Sequence, residues 1–160
     1  MDDSNKISRI SFVKRPISLP PDYRPMFKVA QIVLILSYCC RSNRSSLLKL
    51  HLFSWALKSD LNGQKVTHWV QNNFQTDFSV WGIEPTLNRG IQYAIAEKII
   101  RRVSNKYELA DKGVLLLNSI KRDNDLLKTE KDFLNVIGKK ITDDRITNLS
   151  KKWTLFYVKD

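Results

Sequence analysis

The sequence predicts a mainly α-helical domain with one small β-hairpin. Apolar residues recur at helical spacing along most of the chain after residue 25. The clearest strand character lies in a short β-branched run and its neighbour, residues 99–103 and 107–109, on either side of a polar turn. Glycine and proline number only five each, which disfavours a turn-rich all-β fold. At 160 residues, the chain is long enough for one domain with a substantial core.

Composition along the chain predicts three segments. Residues 1–25 form an extended N-terminal arm, because four prolines between residues 16 and 25 exclude a helix. Residues 26–122 form the main domain. Residues 123–160 form a C-terminal helical extension that ends in a strand over Leu155–Val158.

The first helix is predicted to begin at Pro25, a residue suited to the first helical position, and to end near Arg41. It is apolar on nearly every side, which predicts a central place in the fold. Three further helices are expected, at residues 46–59, 64–74 and 86–97. Ser45 or Ser46 caps the first of these three, and a turn over residues 60–63 precedes the next.

The hairpin is followed by more helix. Asp111 is expected to cap a helix that begins at Lys112. The helical pattern then continues to Ile141, as one helix or as two that break near residues 123–125, and Thr142 starts a final short helix. Several helices, a hairpin and another helix make up the element order of a winged helix-turn-helix domain. We therefore predict a winged-helix-like domain.

The sequence also predicts a soluble cytoplasmic protein with no membrane contact. The segment Met1–Arg15 lacks the apolar block of a signal peptide. The most apolar stretch, Val29–Cys40, is far shorter than the roughly 20 residues that span a bilayer. Adjacent residues on a helix point in different directions, so Cys39 and Cys40 are expected to be buried thiols in a reducing compartment.

No reactive constellation can be recognised, so we predict that the chain is not an enzyme and uses no cofactor or metal. There is no glycine-rich phosphate loop. His51 and His68 lie on different predicted helices without a ligand at metal-binding spacing, and packing or a hydrogen bond is the expected role of each. Asp143 and Asp144 stand at a helix start, where carboxylates stabilise the helix dipole.

The charge balance predicts contact with a polyanion. Lysine and arginine number 27 against 16 acidic residues, for a net charge of +11. Basic residues cluster in the hairpin, whereas the helix before it has one arginine and an acidic end, which suits backbone contact better than base reading. The alternative is that the basic side chains of the hairpin are only solvated and bind no ligand. The candidate contacts to nucleic acid or an acidic surface are Arg89, Lys98, Arg101, Arg102 and Lys106.

Large apolar side chains in the arm, in loops and near the C-terminus are candidate anchors for a protein partner. Packing in the core is the alternative role for the aromatic rings among them. The candidates are Phe12, Ile17, Leu19, Tyr23, Trp55, Phe78, Trp81, Phe156 and Tyr157.

Three stretches, Arg15–Pro25, Val29–Ile32 and Leu48–Leu57, resemble the middle component of ABC-three-component systems, bacterial operons of the Lamassu type. The resemblance covers roughly the first 115 residues. It implies a small accessory subunit that associates with an SMC/Rad50-like ATPase and an effector, often a nuclease, in defence against phage or plasmids. It carries over no catalytic residue.

These observations predict a non-catalytic adaptor that bridges an SMC-like ATPase, an effector nuclease and DNA. The main alternative is a stand-alone winged-helix transcription regulator, which would bind one short duplex far more tightly than random DNA. A small nuclease is a third possibility.

Overall fold

A computed structural model describes residues 24–76, 78 and 84–157, the last five of these as backbone only. The described residues form seven α-helices and three short strands, so the predicted mainly helical class is confirmed. The elements are α1 (Pro25–Cys39), β1 (Arg44–Ser46), α2 (Leu47–Ala56), α3 (Asp60–Gln71), α4 (Pro85–Ala96), β2 (Ile100–Val103), β3 (Lys106–Leu109), α5 (Asp111–Arg122), α6 (Lys128–Ile137) and α7 (Asp143–Tyr157).

Helix α1 lies at the centre of the fold, as its all-round apolar surface predicts. Its residues from Ile32 to Leu36 are fully buried, and it contacts α2, α4, α5 and α6. Side chains of α6 and α7, among them Leu134 and Ile146, belong to the same core cluster. None of the described helices combines the length and the apolar character needed to cross a bilayer.

The two cysteines at the end of α1 are buried and unoxidised, as predicted. Burial raises the pKa of both the Cys39 and the Cys40 thiol. The Cys39 Sγ donates to the carbonyl oxygen of Leu134 at 3.5 Å, which ties α1 to α6. Both thiols are therefore neutral packing groups at ordinary pH.

The three strands form one antiparallel sheet in the order β1-β3-β2. Glu108 of β3 is paired with Arg44 on one side and with Arg101 on the other. The hairpin of β2 and β3 is confirmed, but β1 was not predicted, because three polar residues carry no strand pattern. Ser46, at the end of β1, caps α2 as expected by accepting from the Lys49 backbone N–H at 3.3 Å.

Two predicted helix starts are wrong. The turn expected over residues 60–63 is the first turn of α3, because the Ser59 hydroxyl caps the helix by accepting from the Asn62 N–H at 3.2 Å. Asp111 is the first residue of α5 rather than its cap, a position that Ala110 occupies without a side-chain hydrogen bond.

Of the two alternatives for residues 115–141, the broken helix is the one found. Helix α5 ends at Arg122, and Asp123 Oδ1 accepts from the N–H groups of Asp125 and Leu126 to form the turn. The final helix is longer than predicted, and the strand expected over Leu155–Val158 is wrong as far as Tyr157. Each added residue of an existing helix gains a hydrogen bond without a new nucleation cost, so α7 continues through this run. The predicted arm, up to residue 23, and Val158 lie outside the described residues.

Candidate functional site

Alternation along the strands separates the sheet into two faces of different chemistry. Ile100, Leu109 and Ser45 are buried and face the core. The opposite face, which we call the outer face, carries a row formed by Arg44, Glu108 and Arg101, one residue from each strand. The outer face is therefore the polar surface of the sheet.

Glu108 holds the two arginines of the outer face in place. Its Oε2 accepts from Arg44 Nε at 2.7 Å, and its Oε1 accepts from Arg101 Nε at 2.5 Å. These hydrogen bonds lower the pKa of Glu108, which is only 6% exposed. One carboxylate thus orders two guanidinium groups whose side chains remain 43% and 68% exposed, and the row keeps an excess positive charge.

Lys106 extends the outer face towards the start of α7. Its Nζ lies 2.7 Å from Asp143 Oδ2, and Asp143 Oδ1 accepts from the Ser46 hydroxyl at 2.9 Å. Burial alone would raise the pKa of Asp143, but the hydrogen bonds from Lys106 and Ser46 outweigh it and the pKa is lowered. The contact joins β3, the α2 cap and α7 at one point.

A cavity of about 530 Å³ opens beside this point. Five basic side chains line it against two carboxylates, so the cavity is electropositive. Its walls are the turn after α1, strands β1 and β3, α2, and the segment that leads from α6 into α7. We call it the basic cavity, and its lining comprises Arg41, Ser42, Arg44, Lys49, Lys106, Lys139, Ile141, Thr142, Asp143 and Asp144.

The structure does not bring the five predicted contact residues into one cluster. Arg101 and Lys106 lie on the outer face, whereas Arg102 alternates to the opposite face and its Nε donates to the Ser104 carbonyl at 3.3 Å. Lys98 is exposed in the turn between α4 and β2 with a φ of 59°, and Arg89 is exposed on α4. Four basic residues of the region were not among the predicted contacts, since they lie far from the hairpin in sequence: Arg41, Arg44, Lys49 and Lys139. Lys139 belongs to a late basic group for which the sequence favours a purely solvated role.

Two of the predicted protein anchors, Trp55 and Phe78, pack on one another. Trp55 stacks on Phe78 with ring centroids 5.7 Å apart, and Phe78 meets Trp69 edge to face at 5.5 Å. Phe156 and Tyr157 belong to the last turn of α7, where the structure describes backbone only. The remaining candidates lie outside the described residues: Phe12, Ile17, Leu19, Tyr23 and Trp81.

A buried polar network, not foreseen from the sequence, joins α1, α2 and the start of α4. Lys28, 2% exposed, donates to Ser54 Oγ at 3.2 Å and lies 3.7 Å from a Glu84 carboxylate oxygen. Ser54 donates to the same oxygen of Glu84 at 2.6 Å. His51 Nδ1 accepts from the Glu84 N–H at 3.4 Å, and burial lowers the pKa of His51. The network locks three helices together.

The described residues contain no group of three His, Cys, Asp or Glu side chains able to hold a metal ion. Comparisons with family models, curated proteins and solved structures returned no match to this chain. The basic outer face and the cavity beside it are accordingly the features from which a function is argued.

Proposed function

We propose that the chain is a non-catalytic winged-helix adaptor that grips nucleic-acid backbone through the outer face of its sheet. The winged-helix assignment is supported by the element order, in which α1, β1, α2 and two more helices precede the hairpin and α5 follows it. The strand order β1-β3-β2, with the first strand added to the hairpin, agrees with that fold.

The observation that carries the proposal is the pair of arginines ordered by Glu108. A guanidinium presents a planar fork of donors that matches phosphate oxygens, and a fork held in place loses less entropy on binding. Arg44 and Arg101 each hold Glu108 through Nε and Nη2 while their side chains stay partly exposed, which leaves Nη1 of each arginine to meet a phosphate. Lys106 adds a third positive group on the same face. Such a row favours backbone contact that is independent of sequence.

The adaptor role and its partners rest on the resemblance to the middle components of ABC-three-component systems. On that basis the partners are an SMC-like ATPase, an effector nuclease and DNA, in a bacterial cytoplasm during defence against phage or plasmids. The excess of basic residues supports contact with a polyanion inside such an assembly.

A stand-alone transcription regulator is the second candidate, and the exposure of Arg89 and Gln92 on α4 favours it. In a winged helix the helix before the hairpin enters the major groove. Arg89 is the one basic residue of α4, so this helix carries little of the positive charge that phosphate contacts require. The adaptor is therefore the better-supported function.

Fluorescence anisotropy with short duplexes of random sequence tests the outer face. We expect weak, salt-dependent binding, and the double variant Arg101→Gln/Lys106→Gln should lower the salt slope by roughly 2. The variant Lys98→Gln/Arg102→Gln removes the same charge away from this face and should change the slope less. An equal loss in both variants would overturn the outer face as the contact surface, and a strong preference for one sequence would favour the regulator.

Co-expression with an SMC-like ATPase encoded beside this gene tests the adaptor role. A complex that survives size-exclusion chromatography in high salt is the expected result. Separate elution of the two proteins, or a gene without such a neighbour, would count against the adaptor.

A further inference from the structure

We infer that the basic cavity is a binding site for a phosphate monoester dianion. The basic cavity lies next to the outer face. The inference rests on the proposed function only where it names a nucleic-acid strand as one source of the phosphate. The chemistry comes from three cationic side chains that have no carboxylate partner among the described residues: Arg41, Lys49 and Lys139.

Lys49 is the residue that most strongly indicates an anion-binding site. The residue is only 6% exposed, and its Nζ donates to the carbonyl oxygen of Ile141 at 2.6 Å. An ammonium group has three N–H donors, and this carbonyl is the one protein acceptor found for them in the described part of the chain. Burying a charge without an opposite charge is costly, so a buried lysine that lines an open cavity is a ready anion ligand.

The nearby acidic groups do not neutralise Lys49. Asp143 senses its charge but is hydrogen-bonded to Lys106 and Ser46. Cys39 and Cys40 lie within electrostatic reach of Lys49, yet burial raises the pKa of both thiols and keeps them uncharged. Among the described residues, no carboxylate is paired directly with Lys49, and the charge of Asp143 offsets the lysine only in part.

Arg41 and Lys139 line the same cavity from two different turns of the chain. Arg41 begins the short turn after α1, and Lys139 lies in the turn Gly138–Lys140 between α6 and α7. Both side chains line the cavity, both are exposed, and within the described residues neither takes part in an ion pair. Arg41 and Lys139 thus add two positive charges to the cavity that Lys49 also lines.

A phosphate monoester fits this set better than a backbone phosphodiester. It carries about 1.5 to 2 negative charges at neutral pH and three strong acceptor oxygens, which match three cations. A diester carries one charge and is flanked by sugars on both sides, which hinders entry into a concave site. Asp144 also lines the cavity, but the five basic side chains there outnumber the two carboxylates. The cavity volume lies within the roughly 300–1,000 Å³ that small-molecule sites occupy.

The ligand has two sources, the terminal phosphate of a nucleic-acid strand or a free phosphate. Binding of labelled single strands with a terminal phosphate or a terminal hydroxyl tests the first, and the effect of inorganic phosphate on the melting temperature at constant ionic strength tests the second. The wild-type chain should prefer the phosphorylated strand by roughly tenfold, or be stabilised by inorganic phosphate, or both.

Arg41→Gln/Lys139→Gln should abolish either effect, and these exposed positions leave the core intact. Arg122→Gln/Lys151→Gln removes the same charge from other exposed positions and should keep the effect. No phosphate response in the wild type, or equal responses in the two variants, would overturn the site. Binding of hydroxyl-ended duplex should persist in the cavity variant, so failure of this site is distinguishable from failure of the outer face.

Discussion

Gly113 sets how closely α5 approaches the base of the hairpin. A Cβ added at this position would overlap the carbonyl oxygen of Ile99 and lie 2.9 Å from Leu109 Cδ2. The same carbonyl accepts from the Ala110 N–H at 3.0 Å, so it is fixed from the α5 side as well. We therefore expect Gly113→Ala to force α5 away from the sheet.

The free energy of unfolding of Gly113→Ala reflects two opposing effects. Alanine gains about 1 kcal/mol over glycine in a helix interior. Overpacking typically costs about 1–3 kcal/mol, and the cost is at or above the upper end when the obstacle is backbone rather than a flexible side chain. The net expectation is a loss of about 2 kcal/mol, equivalent to a melting temperature lower by roughly 4–8 °C for a chain of this size.

Urea unfolding followed by far-UV circular dichroism measures this loss, with Gly63→Ala as the matched control. At Gly63 the added Cβ meets the Phe133 ring at 3.4 Å and the Ala56 carbonyl at 3.5 Å, which are ordinary contacts. The control should be unchanged or up to about 1 kcal/mol more stable. If Gly113→Ala were as stable as the control, the close contact between α5 and the sheet would be refuted.

Three further predictions concern buried or ordered polar groups. Lys28→Met should lower the free energy of unfolding by about 2–3 kcal/mol in urea titrations, because it removes the buried cationic partner of Glu84 and leaves that buried carboxylate with the exposed Lys58. Adding Glu84→Gln should restore part of the loss, and additive losses would contradict the coupling. Because burial lowers the pKa of His51, the unfolded chain takes up a proton before the folded chain does as pH falls below about 6.5. The free energy of unfolding should therefore fall in that range by at most about 1.4 kcal/mol per pH unit. His51→Gln should flatten that part of a plot of melting temperature against pH, and an unaltered plot would contradict the role given to His51. The lowered pKa of Glu108 predicts a stabilisation that is present above the pKa of the unfolded chain and is lost as pH falls through the lower pKa of the folded chain. Glu108→Gln should remove this loss of stability at acid pH in the same measurement. It should also weaken binding to random duplex, and unaffected binding would show that the arginines need no carboxylate to order them.

The positions of most helices and of the hairpin follow from local signals. Period-3.6 apolar patterns predicted α1, α2 and α4 to within a few residues, and residue type offered Ser45 or Ser46 as the cap of α2, of which the structure has Ser46. Errors fell where local signals conflict, as at Asp60, whose neighbours favour both a turn and a helix start. The sequence offered a break near residue 123 as one of two possibilities. The Asp123 side chain forms the turn at that break in the structure.

The candidate site depended on tertiary structure. Arg101 and Arg102 are adjacent in sequence, yet strand alternation sends them to opposite faces, and only the pairing with β1 adds Arg44 to the same row. The basic cavity gathers Arg41 and Lys139, nearly a hundred positions apart. The local sequence pattern predicts on which face of its own helix or strand a side chain lies, because that face depends only on the period of the element. Tertiary packing decides which distant charges share a cavity. Burial of the apolar faces of α1, the sheet and α6 brings the turn after α1 close to the turn between α6 and α7.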